Sequence, residues 1–486
     1  METKIGKLLT WLNESPSFNI SSKIGIHETP HTGRGVILTN DKLHRNEVII
    51  SVPSTHQLNF HTVLYHISKY NTDINLLGIT IPRSTENDKN YLKDLNRNDP
   101  RFFYYSQLSQ EFLVSLSSFQ LLSLYILSEW ILLPYWSQNN SSDEYESDIK
   151  PIQSFWQPFF DVWPTKLELS SFPAIWDCDP DSYYKYLLEY LPFETSINYK
   201  RISNLIQIDW KVIQPVLSSW IDHMNSQQIN NGLNCVLPTI SDLYYQFLHI
   251  YTIINSRCLY AEVPLKSDDV KNNFTLVPYV DFLNHTSKAD GHCIPSLNKL
   301  KKVKSCGIGE FQIRCGSMGY KMLKEEIFLN YGAHSNDFLL NEYGFVISDD
   351  KNLDWNFVNI SNSVESLLEN NSKMIKFLKE NDYWGEYTIN YDSISYRTLI
   401  ALSLLVTKDV RRVEKLMQGL ISEEFFLPKI NLLLKSILTN YKTKYTNNLD
   451  YLLRTPIIEE NTFCRQNVIS LIKGTLKIID HHLESM

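Results

Sequence analysis

The sequence lacks the features that mark metal-binding modules, disulfide-rich folds and membrane spans. Its 486 residues include seven cysteines and no Cys-x-x-Cys pair, so neither a zinc module nor a disulfide framework is indicated. We expect no bound metal, and scattered thiols are typical of a reducing compartment. The most hydrophobic stretch, residues 121–136, contains Glu129 and Pro134 and falls short of the ~20 apolar residues that a membrane span requires. A buried helix fits this stretch better.

An excess of basic residues is also absent. The chain carries 46 Lys and Arg against 54 Asp and Glu, for a formal net charge of −8, which argues against direct nucleic-acid binding and favours a basic protein as partner. The first residues have too short an apolar run for a signal peptide, and they space Ile5, Leu8 and Leu12 on one helix face. We expect a monomer without membrane attachment in the cytoplasm, with the nucleus as a second compartment.

The periodicity changes along the chain from strand to helix and predicts an α+β fold. Two β-branched runs within residues 24–53 are typical of paired strands, and Gly33 and Gly35 allow a tight turn and close approach of a ligand to the backbone. Residues 60–250 have helical periodicity. Hydrophobic residues, at 43%, are ample for large packed cores.

Individual helices can be placed within this pattern. Ser117 and Gln120 have the spacing of a capping box that opens the apolar run. Further helices are predicted at residues 181–191, 204–224, 243–257, 394–406, 427–438 and 468–483. The acidic stretch 137–148 and the basic run 298–304 are predicted to be solvated surface.

Two segments set polar groups among apolar ones. Residues 277–285 place Asp281, Asn284 and His285 beside apolar neighbours, and buried polar groups need partners. Residues 327–331 read as a short strand that leaves the Tyr331 hydroxyl at a strand-to-turn junction, where functional groups are often presented. On this pattern alone, plain core is the commoner explanation for both segments, because buried Asn and His most often satisfy backbone groups.

These segments carry a resemblance to a known family. Leu-Val-Pro-Tyr-Val-Asp-Phe-Leu-Asn-His at 276–285, and residues 326–345 with their tail Ser-Asn-x-x-Leu-Leu-x-x-Tyr-Gly-Phe, resemble the two core motifs of SET-domain lysine methyltransferases. They are most similar to the branch of plant Rubisco large-subunit methyltransferase and the fungal ribosomal-protein lysine methyltransferases. The resemblance implies an N-terminal helix in residues 1–20 and a SET domain over 21–346 with a pseudoknot-like core and a helical insert at about 60–250. It also implies a helical substrate-binding domain over 347–486.

The resemblance also implies roles for individual residues. S-adenosylmethionine is the expected cofactor, a protein lysine is the expected methyl acceptor, and Tyr331 is the expected catalytic residue that positions the amine. The residues implied in cofactor binding are Thr32, Arg34, Arg257, Asn284, His285, Tyr331 and Phe345. For Arg257 a structural salt bridge with Asp281 is an open alternative.

The substrate follows from the same resemblance. No cysteine-rich module follows Tyr-Gly-Phe at 343–345, which favours a non-histone substrate, and a ribosomal protein is the leading expectation. A translation elongation factor or another protein remains open, as does a histidine acceptor. A SET-fold binding module without turnover is the alternative from a different functional class.

Overall fold

The computed structural model describes ten stretches of the chain: residues 2–29, 33–75, 98–139, 152–231, 236–266, 268–288, 291–298, 309–348, 352–456 and 462–486. Thr32, most of the acidic stretch and nearly all of the basic run lie outside these residues. The chain forms two compact units. The first comprises Met1–Leu169 with Leu205–Gly332, and the second comprises Ser170–Asn204 with Ala333–Met486.

Eleven strands of the first unit form its sheets. They are β1 (Asn19–Ile20), β2 (Ile24–Thr29), β3 (Gly33–Leu38), β4 (Val48–Val52), β5 (Leu58–Asn59), β6 (Cys258–Tyr260), β7 (Phe274–Leu276), β8 (Asn284–His285), β9 (His292–Asn298), β10 (Glu310–Arg314) and β11 (Glu326–Leu329). An eight-stranded sheet has the order β1-β4-β10-β9-β11-β3-β2, with β8 also paired to β11, and a second sheet has the order β5-β7-β6.

Strand β11 is the centre of the larger sheet. It pairs antiparallel with β3 and parallel with both β8 and β9. The hairpin of β2 and β3, in register from Ile24 opposite Leu38 to Thr29 opposite Gly33, is the strand pair predicted from the β-branched runs.

Seventeen α-helices complete the fold. They are α1 (Glu2–Leu12), α2 (Phe60–Ser68), α3 (Arg101–Ser106), α4 (Gln110–Ser115), α5 (Ser118–Ile126), α6 (Leu133–Asn139), α7 (Gln157–Phe160), α8 (Pro173–Cys178), α9 (Phe193–Asn231), α10 (Ile240–Arg257), α11 (Asn336–Tyr343), α12 (Ser361–Leu368), α13 (Ser372–Glu380), α14 (Tyr396–Thr407), α15 (Val410–Met417), α16 (Leu427–Arg454) and α17 (Thr462–Ser485), counted over the described residues. None of these helices is long and apolar enough to cross a membrane.

The predicted capping box at the start of α5 is present. The Ser117 hydroxyl accepts from the Gln120 backbone N–H at 3.1 Å, and the Gln120 side chain accepts from the Ser117 backbone N–H at 2.9 Å. The apolar run then continues through a π-helical turn, Leu127–Leu132, into α6. The predicted buried helix is therefore three consecutive helical pieces.

The second unit is mainly helical. It contains α8, α11 to α17 and the beginning of α9, with one ladder between β12 (Phe357–Asn359) and β13 (Thr388–Asn390). The three helices predicted after residue 390 correspond to α14, α16 and α17. The α+β class is confirmed, while the domain limits at residues 20 and 346 stay a prediction.

A buried ionic network supports the helical part of the first unit. Arg101 Nε and Nη2 donate to the Asp99 carboxylate at 2.9 and 2.6 Å, and Nη1 donates to Glu129 Oε2 at 3.3 Å. The Tyr105 and Ser154 hydroxyls donate to the Glu129 carboxylate at 2.6 and 2.7 Å. Glu129 is 1% exposed, so this network satisfies a charge that would be costly to bury alone.

We predict that Glu129→Gln lowers the free energy of unfolding by about 3–5 kcal/mol, because it leaves the Arg101 charge without one buried partner. The new amide group also sets an N–H donor against the Tyr105 or Ser154 hydroxyl. Urea denaturation followed by circular dichroism measures the change.

The matched control is Glu380→Gln, which removes the exposed i,i+4 pair between Lys376 and Glu380. Its effect should stay within about 0.5 kcal/mol, as for other exposed pairs. Equal losses for the two variants would show that burial of the network does not set its contribution.

Candidate functional site

Parallel pairing of β8 with β11 brings the two polar segments of the sequence together. Asn284 lies opposite Phe328, and His285 lies opposite Leu329. Tyr331 follows two residues after the end of β11. Three of the predicted site residues, Asn284, His285 and Tyr331, therefore share one edge of the site.

Tyr331 is fixed to this edge by its backbone and by its hydroxyl. The Tyr331 backbone N–H donates to His285 Nδ1 at 3.0 Å, and the Tyr331 hydroxyl donates to the Leu283 carbonyl oxygen at 2.7 Å. The two rings lie 5.1 Å apart between centroids. Since Nδ1 of His285 accepts, the proton of the neutral imidazole is on Nε2.

Burial determines the protonation state of the tyrosine hydroxyl. It raises the pKa of Tyr331 well above its usual range, and neighbouring Arg257 only partly opposes this. The hydroxyl is therefore protonated at neutral pH. It serves as a hydrogen-bonding group at this position, and it is not a base.

Asn284 links β8 to β3 and β11. Its side-chain amide donates to Glu326 Oε1 at 2.8 Å and to the Arg34 carbonyl oxygen at 3.2 Å. The backbone at Gly35 passes so close that a Cβ there would lie 2.5 Å from Glu326 Oε1 and 3.0 Å from Asn284 Nδ2. Glycine at position 35 avoids this close contact with two side chains, while the approach of a ligand expected from the sequence stays a prediction.

Arg257, the last residue of α10, faces Asp281. Its Nη1 donates to the Asp281 carbonyl oxygen at 2.7 Å and lies 3.5 Å from Asp281 Oδ2. The Asp281 side chain is 1% exposed, and burial raises the pKa of this carboxyl although Arg257 and Arg34 lower it. The salt bridge that the sequence left open is present.

The turn before Asp281 contains a strained residue that the sequence did not reveal. Tyr279 has φ of 70°, a conformation that costs a bulky residue of order 1–3 kcal/mol. It is 1% exposed and precedes the 3-10 turn Val280–Phe282. The turn places Asp281 in contact with Arg257. No local pattern in the sequence predicts a positive φ at Tyr279.

The Arg34 side chain binds groups of its own unit. Its Nη1 donates to the Val162 carbonyl oxygen at 2.5 Å, its Nη2 lies 3.4 Å from Glu168 Oε1, and the guanidinium lies 5.7 Å from the Phe282 ring centroid. Burial lowers the pKa of Arg34, partly offset by Glu168. The backbone carbonyl of Arg34, rather than its guanidinium, contacts Asn284.

Two further residues were predicted to bind the cofactor, Phe345 and Thr32. Phe345 belongs to the second unit, where its ring centroid lies 6.3 Å from that of Tyr343. Thr32 lies outside the described residues. Their roles stay predictions.

Two buried polar atoms at this edge are suited to a polar ligand. Within the described stretches, Arg257 Nε and Asp281 Oδ1 are buried and have no hydrogen-bond partner in the protein. A ligand with both donor and acceptor groups would satisfy them. The same stretches contain no cluster of three His, Cys, Asp or Glu side chains arranged to hold a metal ion.

Comparison with known sequences finds full-length similarity. The family model for the ribosomal lysine N-methyltransferase 2 C-terminal domain matches residues 356–485. Ribosomal lysine N-methyltransferase 2 of Saccharomyces cerevisiae is 48% identical over 497 residues, covering 100% of both chains. Ribosomal lysine N-methyltransferase set11 of Schizosaccharomyces pombe is 29% identical over 155 residues, covering 32% of this chain and 34% of its own.

Comparison with solved structures finds one fold. The SET domain of LSMT bound to lysine and AdoHcy has a TM-score of 0.55 at 12% identity, covering 100% of this chain and 91% of its own. Rubisco LSMT bound to AdoMet has a TM-score of 0.52 at 12% identity, covering 99% and 91%. At this identity the match concerns the fold, and the SET-type prediction is confirmed.

We predict that Gly35→Ala lowers the free energy of unfolding by about 1–3 kcal/mol, because the new methyl group overpacks the contact between Asn284 and Glu326. Replacing Glu326 by Ala in the same chain removes the nearest clashing atom. The double variant should therefore lose less stability than the sum of the single losses. Urea denaturation of the three variants measures the coupling.

Gly6→Ala is the matched control, because Gly6 lies inside α1 and a Cβ there meets nothing within 4 Å. This change should stabilise the chain by about 0.5–1 kcal/mol through helix propensity. Strict additivity of Gly35→Ala and Glu326→Ala would contradict the proposed steric conflict.

Proposed function

Because the chain belongs to the ribosomal lysine N-methyltransferase 2 family, we propose that it methylates a lysine side chain of a ribosomal protein with S-adenosylmethionine as methyl donor. The resemblance identified from the sequence motifs is thereby confirmed at the level of the family. The observation that carries the proposal is the position of the buried Tyr331 hydroxyl on the edge formed by β8 and β11.

The chemistry requires a neutral amine held in line with the methyl group. A free lysine with a pKa near 10.4 is only about 0.1% deprotonated at roughly pH 7.4. S-adenosylmethionine supplies an activated methyl group on a positively charged sulfur. Removal of the incoming lysine from water would lower its pKa, because burial disfavours its ammonium form.

Tyr331 has the properties of a positioning group for this amine. Its hydroxyl hydrogen is engaged with the Leu283 carbonyl oxygen at 2.7 Å, so the phenolic oxygen presents its lone pairs as acceptors. Since burial raises the pKa of this phenol, it does not compete for the amine proton at neutral pH. It orients the nucleophile, which is the main requirement of an in-line transfer.

Arg257, Asn284 and His285 are our candidates for holding the cofactor in the first unit. The partner-free Arg257 Nε can donate to the carboxylate of an amino-acid ligand, and the neighbouring Asp281 Oδ1 can accept from its ammonium group. The contribution of Arg34 is indirect: its backbone carbonyl oxygen accepts from the Asn284 amide and so fixes that side chain. Thr32 and Phe345 complete the proposed set on the strength of the sequence motifs.

The remaining proposals concern setting and partners. We propose a monomeric enzyme that acts in the cytoplasm, with the nucleus as a second compartment, and that binds neither membrane nor free nucleic acid. The net charge of −8 supports a basic protein partner. Residues 347–486 are proposed to bind the substrate protein.

We predict that the full chain transfers labelled methyl groups to one or a few proteins of ribosomes from a Saccharomyces cerevisiae strain that lacks its own ribosomal lysine N-methyltransferase 2. Tyr331→Phe should lower the turnover number about 100-fold or more, because the oxygen that orients the amine is lost. Gel fluorography measures the labelled bands, and mass spectrometry identifies the modified residue.

Tyr320→Phe removes another phenolic hydroxyl of the first unit, which donates to the Gly291 carbonyl oxygen at 3.0 Å and accepts from the Phe328 backbone N–H at 3.1 Å. It should keep its turnover number within a few-fold once its fold is verified. Absence of label above the Tyr331→Phe background would contradict the enzyme proposal and favour a binding module. A label on histidine would contradict the lysine assignment.

We predict that Asn284→Ala weakens S-adenosylmethionine binding by about 5- to 150-fold, corresponding to roughly 1–3 kcal/mol for a lost buried polar group. The amide holds β3 and Glu326 in place around the proposed cofactor site. Isothermal titration calorimetry measures the dissociation constant.

Asn71→Ala is the control for general loss of stability. The Asn71 amide likewise donates to two acceptors, the Tyr105 and Leu108 carbonyl oxygens at 2.8 and 2.9 Å, and neither belongs to the proposed site. Its variant should bind the cofactor with unchanged affinity. Equal weakening by both variants would assign the effect to stability.

A further inference from the structure

An exposed surface rich in tyrosine lies in the second unit. Its centre is the 3-10 helix Tyr183–Tyr190, Tyr-Tyr-Lys-Tyr-Leu-Leu-Glu-Tyr, in which half of the eight residues are tyrosines. We call residues 177–190 the tyrosine segment. Tyrosine is enriched where proteins meet other proteins, because it presents a large contact area with few rotatable bonds.

The rings of this segment are held in fixed positions. Tyr183 is 56% exposed, and its ring centroid lies 5.6 Å from that of Tyr184 and 6.1 Å from that of Tyr186 in edge-to-face contacts. Tyr184 in turn lies 6.3 Å from Trp176, and Trp176 and Leu187 are fully buried. The exposed rings therefore rest on a packed layer, which lowers the entropy cost of binding a partner.

The surface continues onto α16. Tyr190 stacks on Tyr451 with centroids 5.0 Å apart and ring planes at 11°. Tyr451 is 49% exposed and Leu453 is 58% exposed. Tyr183 and the stacked pair of Tyr190 and Tyr451 therefore place aromatic side chains on the tyrosine segment and on the helix next to it, within one unit.

The charge of the tyrosine segment is acidic. It contains Asp177, Asp179, Asp181 and Glu189 against a single basic residue, Lys185, for a formal charge of −3 from four acidic groups and one basic group. Asp181 and Glu189 are exposed. Exposed aromatic faces together with carboxylates attract lysine and arginine side chains through cation–π and Coulomb interactions.

We propose that the tyrosine segment, with Tyr451, is a docking surface for a lysine- or arginine-rich segment of the ribosomal substrate. This inference rests on the proposed function for the identity of the partner. A second copy of the chain is a poorer occupant, because a two-fold interface would set the segment's carboxylates against their own copies. Nucleic acid is disfavoured by the same negative charge.

Two variants test the surface separately from catalysis. Tyr183→Ala removes the most exposed ring of the 3-10 helix, and the triple change Asp179→Asn, Asp181→Asn, Glu189→Gln removes three charges. Asn at 179 keeps an oxygen for the hydrogen bond from the Asp181 backbone N–H, which is 2.9 Å long. The probe is a fluorescent 20-residue peptide of alternating lysine and glycine, and its binding to the full chain is followed by anisotropy.

Each variant should weaken binding of the lysine peptide about 10-fold, the size of effect that one interface anchor commonly has. The weakening by the charge variant should shrink as salt is raised, because exposed charges are screened. On ribosomes the two variants should raise KM by a similar factor and leave kcat and the affinity for S-adenosylmethionine unchanged.

The matched control lies in the same unit. The 3-10 turn Glu423–Phe425 is also acidic and aromatic, and Phe425 is 56% exposed. The triple change Glu423→Gln, Glu424→Gln, Phe425→Ala should leave peptide binding within about two-fold of the unmodified protein, since a solvated rim contributes little. If this control weakens peptide binding as much as the tyrosine-segment variants do, the effect does not depend on the tyrosine segment, and the proposal is wrong.

The outcomes separate this surface from the proposed function. If ribosomes are not labelled but the variants weaken peptide binding, the enzyme proposal is wrong and the docking surface stands. If ribosomes are labelled but both variants leave KM and peptide binding unchanged, the docking proposal is wrong and the enzyme proposal stands. A dimer in sedimentation that Tyr183→Ala converts to monomer would assign the surface to a second copy and overturn the docking proposal.

Discussion

The parallel contact between β8 and β11 is the constraint on which the site depends. It joins Asn284 to Phe328 and His285 to Leu329, although each pair is far apart in the chain. The Tyr331 backbone N–H and hydroxyl then bond to His285 and Leu283 on the β8 side. Tyr331 therefore cannot shift unless the backbone around β8 shifts with it, and this rigidity is what an in-line transfer demands.

The same edge must also keep a buried carboxylate charged at an acceptable cost. Arg257 compensates Asp281 by a salt bridge and by a bond to its carbonyl oxygen. Arg257 is the last residue of α10, where the helix dipole favours a positive charge. The arginine is thus stabilised by the helix end and by the carboxylate together, and the strained Tyr279 is the conformational cost of bringing Asp281 within reach.

The sequence could predict what depends on local pattern. The capping box at Ser117 and the long C-terminal helices follow from spacing and propensity, and each is present. The SET-type class followed from two motifs.

What escaped prediction depends on contacts across the fold. The Arg34 guanidinium contacts the Val162 carbonyl oxygen, and no local rule connects those positions. Glu326 meets Asn284 beside Gly35 only because β3 and β8 flank β11. The π-helical turn that holds Glu129 in the buried network is likewise set by its partners, since the local sequence is simply apolar and helical.

The protonation states at the site bear on how the amine becomes reactive. Within the described part of the site, His285 Nδ1 already accepts the Tyr331 N–H, the Tyr331 phenol is protonated, and the Asp281 carboxylate faces Arg257. None of these three groups is arranged as a strong base for an incoming ammonium. In the proposed reaction the lysine would lose its proton to solvent as it leaves water, because burial disfavours its ammonium form. If Tyr331 is catalytic as proposed, the binding energy of the protein substrate would contribute to placing and deprotonating its lysine, so that substrate recognition and methyl transfer would be energetically coupled.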